Sequence, residues 1–367
     1  MRRKRRDTEQ EVETIVEQET DENGDFEYEV SDKLLPTGSA ILNCILADNP
    51  YAGYRKGSIV NVVGDSSAGK SLLAFTTFAA IAANPDFDNY RFIYDDVECA
   101  DSFDIEGLFG KKVKARLESP YKDNDGNPVS SDTIQDFHFY IKENIKKGKP
   151  FIYILDSFDS LDSDEDEKKI EEAHKAKKAG RETSGSYGMA KAKAASAILR
   201  NIKTDLKKTD SLLIIVSQVR DNVGAVMFGP TKTRSGGKAL KHYSWHEIWL
   251  HLGKKIKSKE RVIGVNTIIK IGKNRETGKQ REGGFPIYYS HGIDDVGSCI
   301  DFLFDEGRIS GTKTKMKSPE LEFEGSRQKL IDHVEKNNLE QELHKLLHKC
   351  WKEIEDDLII KRKKRFE

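Results

Sequence analysis

Residues 57–71, with the sequence GSIVNVVGDSSAGKS, decide the fold of this chain. The segment 57–63 is mostly apolar and β-branched, which predicts a buried strand. The segment 64–71 matches G-x-x-x-x-G-K-S, in which the glycines let backbone N–H groups wrap phosphate groups. The apolar, Ala-rich segment 72–83 is typical of a packed helix. A strand, this loop and a helix in that order predict a nucleotide-binding loop.

The side chains of the loop are suited to ATP and Mg²⁺. We expect Lys70 to neutralise the β- and γ-phosphates and Ser71 to offer its hydroxyl group to Mg²⁺. The N-terminus of the following helix adds a favourable dipole. The predicted nucleotide contacts are Gly64, Asp65, Ser66, Ser67, Ala68, Gly69, Lys70, Ser71 and Leu72.

Three more apolar segments alternate with helical ones. Residues 90–94, 150–155 and 211–216 are predicted strands, and residues 190–206 are a predicted helix. This alternation predicts the α/β class, with a mostly parallel sheet and helices on both faces. The carboxyl ends of parallel strands meet at one edge, where such sheets bind ligands. The polar residues that follow these strands are therefore expected beside the phosphate loop.

These polar residues have different predicted roles. Asp156 follows an apolar strand and is the predicted carboxylate ligand of Mg²⁺. Glu98 is the predicted general base that orients the attacking water. Asp95 and Asp96 remain open alternatives, because a slip of one residue changes which carboxylate faces the nucleotide. Gln218 ends its strand with an amide that can sense a γ-phosphate.

The composition limits the classes of protein to consider. Of the 367 residues, 37% are hydrophobic and 34% are charged, which predicts a packed core with charged appendages. The net charge is −1, so any DNA contact has to come from local basic patches. The sequence has no run of about 18 apolar residues, and its basic N-terminus precedes an acidic stretch. We expect a cytoplasmic protein that has no membrane partner.

The four cysteines, Cys44, Cys99, Cys299 and Cys350, are scattered along the chain. They show no paired spacing of the kind that metal ligands have. We expect buried free thiols in a reducing compartment.

The chain is predicted to have three regions. Residues 1–33 are charged and form an arm that is a candidate oligomerisation element. Residues 34–305 form the nucleotide-binding core, which two charged insertions interrupt at about 163–187 and 219–235. Residues 306–367 form a helical region that ends in a basic segment.

The motifs together resemble the RecA recombinase family, its phage-type members included, over about residues 37–301. The resemblance is carried by TGS at 37–39, GDSSAGKS at 64–71, DDVE at 95–98, ILDS at 154–157, GSYGMA at 185–190, IIVSQVR at 214–220, VMFGP at 226–230 and SGGKALKHY at 235–243. The last two segments are the most specific, because many P-loop ATPases share the phosphate loop and the acid but not this run.

The resemblance implies a RecA-like ATPase core in which the insertions 163–187 and 219–235 are DNA-binding loops. Gln218 would relay the nucleotide state to the second loop. Lys273 and Arg275 would reach the ATP of the adjacent subunit and stabilise charge on the transferring γ-phosphate. The implied DNA contacts are Tyr187, Gly188, Arg220, Phe228, Lys232, Arg234, Gly236 and Gly237.

The leading hypothesis is an ATP-dependent recombinase of a bacterial or phage-infected cell. It would form helical filaments on single-stranded DNA, pair that strand with homologous double-stranded DNA and hydrolyse ATP at subunit interfaces. Single-strand-binding and loader proteins are further candidate partners. Two alternatives stay open: a RecA-fold helicase or translocase motor, and an ATP-gated DNA-coating regulatory protein with weak hydrolysis.

Overall fold

The strand predicted before the phosphate loop lies inside a ten-stranded sheet in the computed structural model. The structure describes residues 32–99, 104–164, 189–221, 232–234 and 237–363. The chain from Lys33 onward forms one compact unit. Nearly all of the predicted N-terminal arm and of the predicted first DNA-binding loop lie outside the described residues.

The described strands and helices are numbered here in chain order. The strands are β1 Leu34–Leu35, β2 Tyr54–Arg55, β3 Ile59–Gly64, β4 Arg91–Asp96, β5 Leu117–Glu118, β6 Tyr121–Lys122, β7 Pro128–Val129, β8 Phe151–Asp156, β9 Leu212–Asp221, β10 Lys232–Arg234, β11 His246–Ser258, β12 Arg261–Asn274, β13 Glu282–Tyr288, β14 Gly292–Ile293, β15 Ser310–Thr312, β16 Lys315–Ser318 and β17 Phe323–Gly325. The α-helices are α1 Ala40–Ala47, α2 Lys70–Ala83, α3 Ile105–Phe109, α4 Lys111–Arg116, α5 Ile134–Lys146, α6 Met189–Lys208, α7 Gly237–Tyr243, α8 Asp295–Asp305, α9 Arg327–Asn337 and α10 Glu340–Asp357.

The large sheet is mostly parallel. Its order is β14-β13-β12-β11-β3-β9-β8-β4-β5, and β10 pairs with β9 outside this path. The six strands from β11 to β5 run parallel to one another. The pairs made by β10, β12, β13 and β14 are antiparallel. The predicted α/β class is confirmed.

Helices cover both faces of the parallel strands, which explains why these strands are apolar at consecutive positions. Along β8, Ile152 and Ile154 pack in the same cluster as residues of α1 and α2. Their neighbours Tyr153 and Leu155 pack in a second cluster, with residues of α5 and α6. Alternate side chains of a strand point to opposite faces, so each central strand contributes to two cores.

The hairpin of β11 and β12 was only half predicted. Residues 261–271 are strand-like in sequence and predict β12, but nothing in the sequence indicates β11. The second half of β11, residues 253–258, is rich in lysine and largely exposed, and it extends beyond the residues that pair with β3. Its first half, His246–Leu250, pairs with β3 and is mostly buried.

The C-terminal region contains more than the predicted helices. A three-stranded antiparallel sheet, β15-β16-β17, precedes them. The helical spacing after Ser326 corresponds to two helices rather than one, because Asn338 adopts a left-handed conformation with φ of 53° and ends α9. In α10, Leu343 and Leu347 pack into the same cluster as α1 and α2. The boundary at residue 305 between the nucleotide-binding core and the C-terminal region stays a prediction.

All four cysteines are free, and Cys44, Cys299 and Cys350 are buried as predicted. The prediction is wrong for Cys99, which is exposed because it lies in the turn that follows β4. Within the described residues, helices with both the length and the apolar character needed to cross a membrane are absent.

Candidate nucleotide-binding site

The phosphate loop has a backbone that requires its glycines. It joins the end of β3 to the start of α2, and Gly69 adopts a left-handed φ of 88° at the helix N-cap. A Cβ atom on Gly69 would lie 2.3 Å from Cδ1 of Ile287. A Cβ atom on Gly64 would lie 2.5 Å from the backbone oxygen of Leu250, which cannot move aside without disturbing the sheet. The loop is also held by β12, because the Thr267 hydroxyl donates to the Ala68 carbonyl at 3.3 Å.

Lys70 carries the positive charge of the site. Its Nζ donates to the backbone oxygen of Asp65 at 2.8 Å, so the side chain folds back over its own loop. Only 9% of Lys70 is exposed. Burial lowers its pKa, and the carboxylates of Asp156, Glu98 and Asp65 act in the opposite direction. The lysine therefore lies within electrostatic reach of both predicted acids.

The two predicted Mg²⁺ ligands are adjacent. Asp156 ends β8 and is 7% exposed. The pKa of Asp156 is raised to about 6, mainly by burial and also by the charge of Glu98, while a hydrogen bond with the Ser71 side chain acts in the opposite direction. A carboxylate next to a hydroxyl is the kind of oxygen-ligand pair that Mg²⁺ uses together with phosphate oxygens. These two residues fit the predicted metal position.

Asp95 has a structural environment that does not suit a general base. Its side chain is buried and accepts hydrogen bonds from the Ser131 amide at 2.8 Å, the Ser131 hydroxyl at 2.6 Å and the Tyr153 hydroxyl at 2.6 Å. Tyr153 belongs to the cluster on the α5 and α6 side of the sheet. The next residue, Asp96, pairs with Asp156 in the strand register. The geometry therefore leaves Asp96 and Glu98 on the nucleotide side.

Glu98 and Gln218 are in direct contact. Glu98 Oε1 accepts a hydrogen bond from Gln218 Nε2 at 2.8 Å and another from the Ser157 hydroxyl at 2.5 Å. The backbone amide of Gln218 donates to Asp159 Oδ2 at 2.5 Å. Neither Ser157 nor Asp159 was among the predicted site residues. Both lie just after the Asp156 strand end, and that position is the only signal that could have indicated them.

The predicted second DNA-binding loop begins and ends as a strand pair. β9 does not stop at Gln218 but continues to Asp221, where it pairs with Lys232 of β10. In the same register Thr233 pairs with Arg220, and Arg234 pairs with Val219. Gln218 is therefore the residue directly before a two-stranded antiparallel ribbon.

Some predicted DNA contacts can be placed and others cannot. Tyr187, Gly188, Phe228 and Gly236 lie outside the described residues. For the others the structure gives the backbone position: Arg220, Lys232 and Arg234 are on the ribbon, and Gly237 begins α7.

Lys273 and Arg275 lie at the opposite edge of the sheet from the phosphate loop. In the sheet register, Gly64 pairs with Leu250, whereas Lys273 pairs with Glu247. Nζ of Lys273 donates to the His242 carbonyl at 2.8 Å, and Arg275 donates to the same carbonyl at 3.0 Å. Both cations thus contact the C-terminus of α7, where positive charge is favoured. Within one chain they are not part of the phosphate site.

The fold and the phosphate loop define a P-loop nucleotide-binding protein of the α/β class. A family profile, RecA N-terminal domain, matches residues 173–294. Protein RecA of Caulobacter vibrioides is 25% identical over 325 residues, which cover 88% of this chain and 83% of that protein. Protein RecA of Bacteroides thetaiotaomicron is 28% identical over 278 residues, with 76% and 75% covered. Protein RecA of Lactobacillus delbrueckii subsp. bulgaricus is 27% identical over 272 residues, with 74% and 73% covered. The chain is therefore similar to RecA proteins along most of its length.

Proposed function

We propose that this protein is an ATP-dependent DNA recombinase. It forms filaments on single-stranded DNA, pairs that strand with homologous double-stranded DNA and hydrolyses ATP at the interfaces between subunits. The similarity to RecA proteins supports this proposal, as does the profile match of residues 173–294, which contains both the Gln218 strand end and the α7 segment. The N-terminal arm is the proposed oligomerisation element, and the cytoplasm is the proposed compartment.

One observation supports the coupling of ATP to DNA most directly. The Gln218 amide contacts the Glu98 carboxylate at 2.8 Å, and the ribbon of β9 and β10 starts at the next residue. If Glu98 or Gln218 binds a different group at the nucleotide, the position of Gln218 changes, and with it the start of the ribbon. This is the arrangement that a DNA-dependent ATPase needs, because the state of one site must alter the other.

Each residue of the sheet edge has a proposed part in hydrolysis. The loop amides and Lys70 hold the triphosphate, while Ser71 and Asp156 hold Mg²⁺, which neutralises charge on the phosphates. Glu98 orients the attacking water and accepts its proton, with Asp96 as the alternative base. Gln218 senses whether a γ-phosphate is present, because its amide can exchange the Glu98 carboxylate for a phosphate oxygen.

The cations for the transferring phosphate are proposed to come from the neighbouring subunit. From His246 to Leu250 the strand covers about 13 Å, at roughly 3.3 Å per residue. Lys273 and Arg275 lie at the first end of that span and the phosphate loop lies beyond the second. A second copy of the chain is therefore required for these residues to meet a γ-phosphate, as the intersubunit site assumes.

The test is a strand-exchange assay with circular single-stranded DNA and homologous linear duplex, using Lys70→Ala as the nucleotide-site control. We expect ATP-dependent joint molecules from the parent protein, and none from Lys70→Ala. If the parent protein forms no joint molecules in the presence of ATP, the recombinase proposal is wrong.

Two further measurements separate the alternative functions. Electron microscopy with ATP and single-stranded DNA should show helical filaments; closed hexamers with directional unwinding would identify a helicase instead. The ATPase rate should rise on addition of single-stranded DNA. A low rate that is indifferent to DNA would identify a coating or regulatory protein.

A further inference from the structure

Three side chains with metal-ligating atoms meet at a place that includes no residue of the phosphate loop. They are Asp295 and Cys299 on α8 and His344 on α10, and their ligand atoms all lie within 4.8 Å of one another. In the described part of the chain this is the one group of three or more such side chains that converge in this way. Spacing in the sequence does not indicate it, because 45 residues separate Cys299 from His344.

The fold fixes two of the ligands on one face of a helix. Asp295 is the first residue of α8 and Cys299 follows four residues later, so both side chains lie on one face. A hydrogen bond of 2.7 Å from the Ala40 amide to Asp295 Oδ1 holds the carboxylate. This bond leaves Oδ2 directed at His344, whose Nε2 is 3.4 Å away. Outer hydrogen bonds of this kind orient the ligands in metal sites.

The third ligand is positioned by a ring contact. The imidazole of His344 packs edge-on against Tyr51, with ring centroids 5.9 Å apart. The Cys299 side chain is fully buried, while Asp295 and His344 keep 26% and 21% of their side chains exposed. The group therefore has a buried sulfur at its base and a narrow opening to solvent on the side of the nitrogen and oxygen ligands.

We propose that Asp295, Cys299 and His344 form a binding site for a divalent transition-metal ion, with Zn²⁺ as the expected ion. A thiolate, an imidazole and a carboxylate are the donors that Zn²⁺ takes, whereas Mg²⁺ and Ca²⁺ prefer sites made of oxygen alone. Three protein ligands leave a fourth tetrahedral position for water at the exposed side. Ligand atoms around a tetrahedral Zn²⁺ stand about 3.3–3.8 Å apart, so closure from 4.8 Å needs shifts on the order of 1 Å.

The position of the site gives the ion a role in joining the C-terminal region to the core. The helix α8 packs against α1, and the helix α10 is the last described helix of the chain. An ion bound by both helices would cross-link them, beside the ion pairs that Arg281 makes with Asp48 and with Glu355 of α10. A ligand that binds only the folded state stabilises that state by mass action.

The surroundings of Cys299 argue against a reactive thiol as the alternative role. The Cys299 side chain is fully buried, whereas reactive cysteines are partly exposed to solvent. The proposal does not depend on the ATPase function, since the phosphate loop shares no residue with the site.

The first test uses Co²⁺ as a spectroscopic substitute for Zn²⁺. Protein stripped with a chelator is titrated with Co²⁺ in the absence of nucleotide and Mg²⁺. We expect one equivalent to bind and to produce the near-ultraviolet charge-transfer band of a thiolate–Co²⁺ bond. The band should vanish in Cys299→Ser and persist in the matched control Cys350→Ser, which removes a buried thiol of α10 outside the ligand set.

A second variant keeps the proposal testable if Cys299→Ser does not fold. His344→Gln changes a partly exposed side chain and should weaken Co²⁺ binding at least tenfold, whereas His291→Gln at an exposed position should not. Excess Zn²⁺ should raise the Tm of the parent protein by on the order of 5 °C and leave His344→Gln unchanged. A parent protein without the charge-transfer band, or a band that both ligand variants retain, would overturn the site.

Discussion

Asp156 has the electrostatic environment from which a pH dependence follows. Its carboxyl group is 7% exposed, and burial is the first cause that raises its pKa to about 6. In the unfolded chain an aspartate has a pKa of about 3.9. Between pH 4 and pH 6 the folded protein therefore holds a proton that the unfolded chain has lost, so the free energy of unfolding decreases as pH rises through this range.

We predict that Asp156→Asn stabilises the nucleotide-free protein above pH 6. A pKa difference of roughly two units corresponds to about 3 kcal/mol, which the buried charge costs at neutral pH and the neutral amide avoids. Urea unfolding without Mg²⁺ or ATP at pH 4 to pH 8 measures the effect. The difference from the parent protein should shrink towards pH 4, and Asp86→Asn at an exposed position is the control. A difference that is independent of pH would contradict the assigned environment.

The base candidates show how much a single residue position depends on the tertiary structure. In the sequence, Asp95, Asp96 and Glu98 are equivalent acids at the end of one strand. In the structure, Asp95 is bound by Ser131 and Tyr153, whereas Glu98 is bound by Gln218. Adjacent strand residues face opposite sides of a sheet, so the exact end of β4 decides which acid meets the nucleotide.

At the scale of elements, the phosphate loop depends on packing against β13 as well as on its own glycines. Gly69 has a φ of 88°, and the space beside it is filled by Cδ1 of Ile287 from β13. A side chain at residue 69 would meet both a strained backbone and this methyl group. The motif in the sequence shows the first constraint, and only the sheet shows the second.

We predict that Gly69→Ala lowers ATP affinity at least tenfold. The left-handed backbone costs an L-residue about 1–2 kcal/mol, and the added Cβ would lie 2.3 Å from Ile287 Cδ1. Binding of a fluorescent ATP analogue and urea unfolding measure the two effects separately. Ile287→Val removes the contacting methyl group and is the matched second variant.

The double variant Gly69→Ala/Ile287→Val should recover part of the lost stability without recovering ATP affinity. Ile287→Val alone should cost only about 0.5–1.5 kcal/mol, as is usual for the loss of one buried methylene group. Full recovery of ATP affinity in the double variant would show that the backbone conformation of Gly69 is not required.

Elements with a clear hydrophobic period were predictable and those stabilised by their neighbours were not. The buried strands β3, β4, β8 and β9 and the helix α6 follow from apolar segments of the right length. β11 was not predicted because lysines fill its exposed half. The ribbon of β9 and β10 was not predicted either, because its segment has the composition of a charged insertion. In both cases backbone pairing with an adjacent strand stabilises the element, and pairing leaves no period in the sequence.

At the scale of the whole molecule, the cations and the phosphate loop occupy opposite edges of the sheet. Lys273 pairs with Glu247 near the start of β11, while Gly64 pairs with Leu250 further along it. If the ATP site is shared between subunits, a variant that lacks the loop lysine and one that lacks the cations are defective in different halves of the site.

We predict that Lys70→Ala and Lys273→Ala/Arg275→Ala, each inactive alone, recover ATPase activity when mixed. In a random 1:1 filament about a quarter of the interfaces combine an intact loop with intact cations, so activity should approach about 25% of the parent rate. The DNA-stimulated ATPase rate of the mixture measures this. Lys270→Ala, which removes an exposed lysine of the same strand, should be active alone.

Complementation would not occur if Lys273 and Arg275 act only within their own chain. Both side chains contact the His242 carbonyl at the end of α7, so a purely local role would be to hold that helix. In that case the mixture would remain as inactive as its two components, and the intersubunit proposal would be wrong.

The sequence predicted the α/β class, which the structure confirms, and it also predicted the phosphate loop, the Mg²⁺ acid and the resemblance to RecA proteins. It could do so because a buried parallel strand and a phosphate-wrapping loop each require particular residues at consecutive positions. Three relations are visible only in the folded chain: the contact of Glu98 with Gln218, the position of Lys273 and Arg275 in the sheet, and the convergence of Asp295, Cys299 and His344. These relations join residues that are distant along the chain, and only strand register and helix packing bring such residues together.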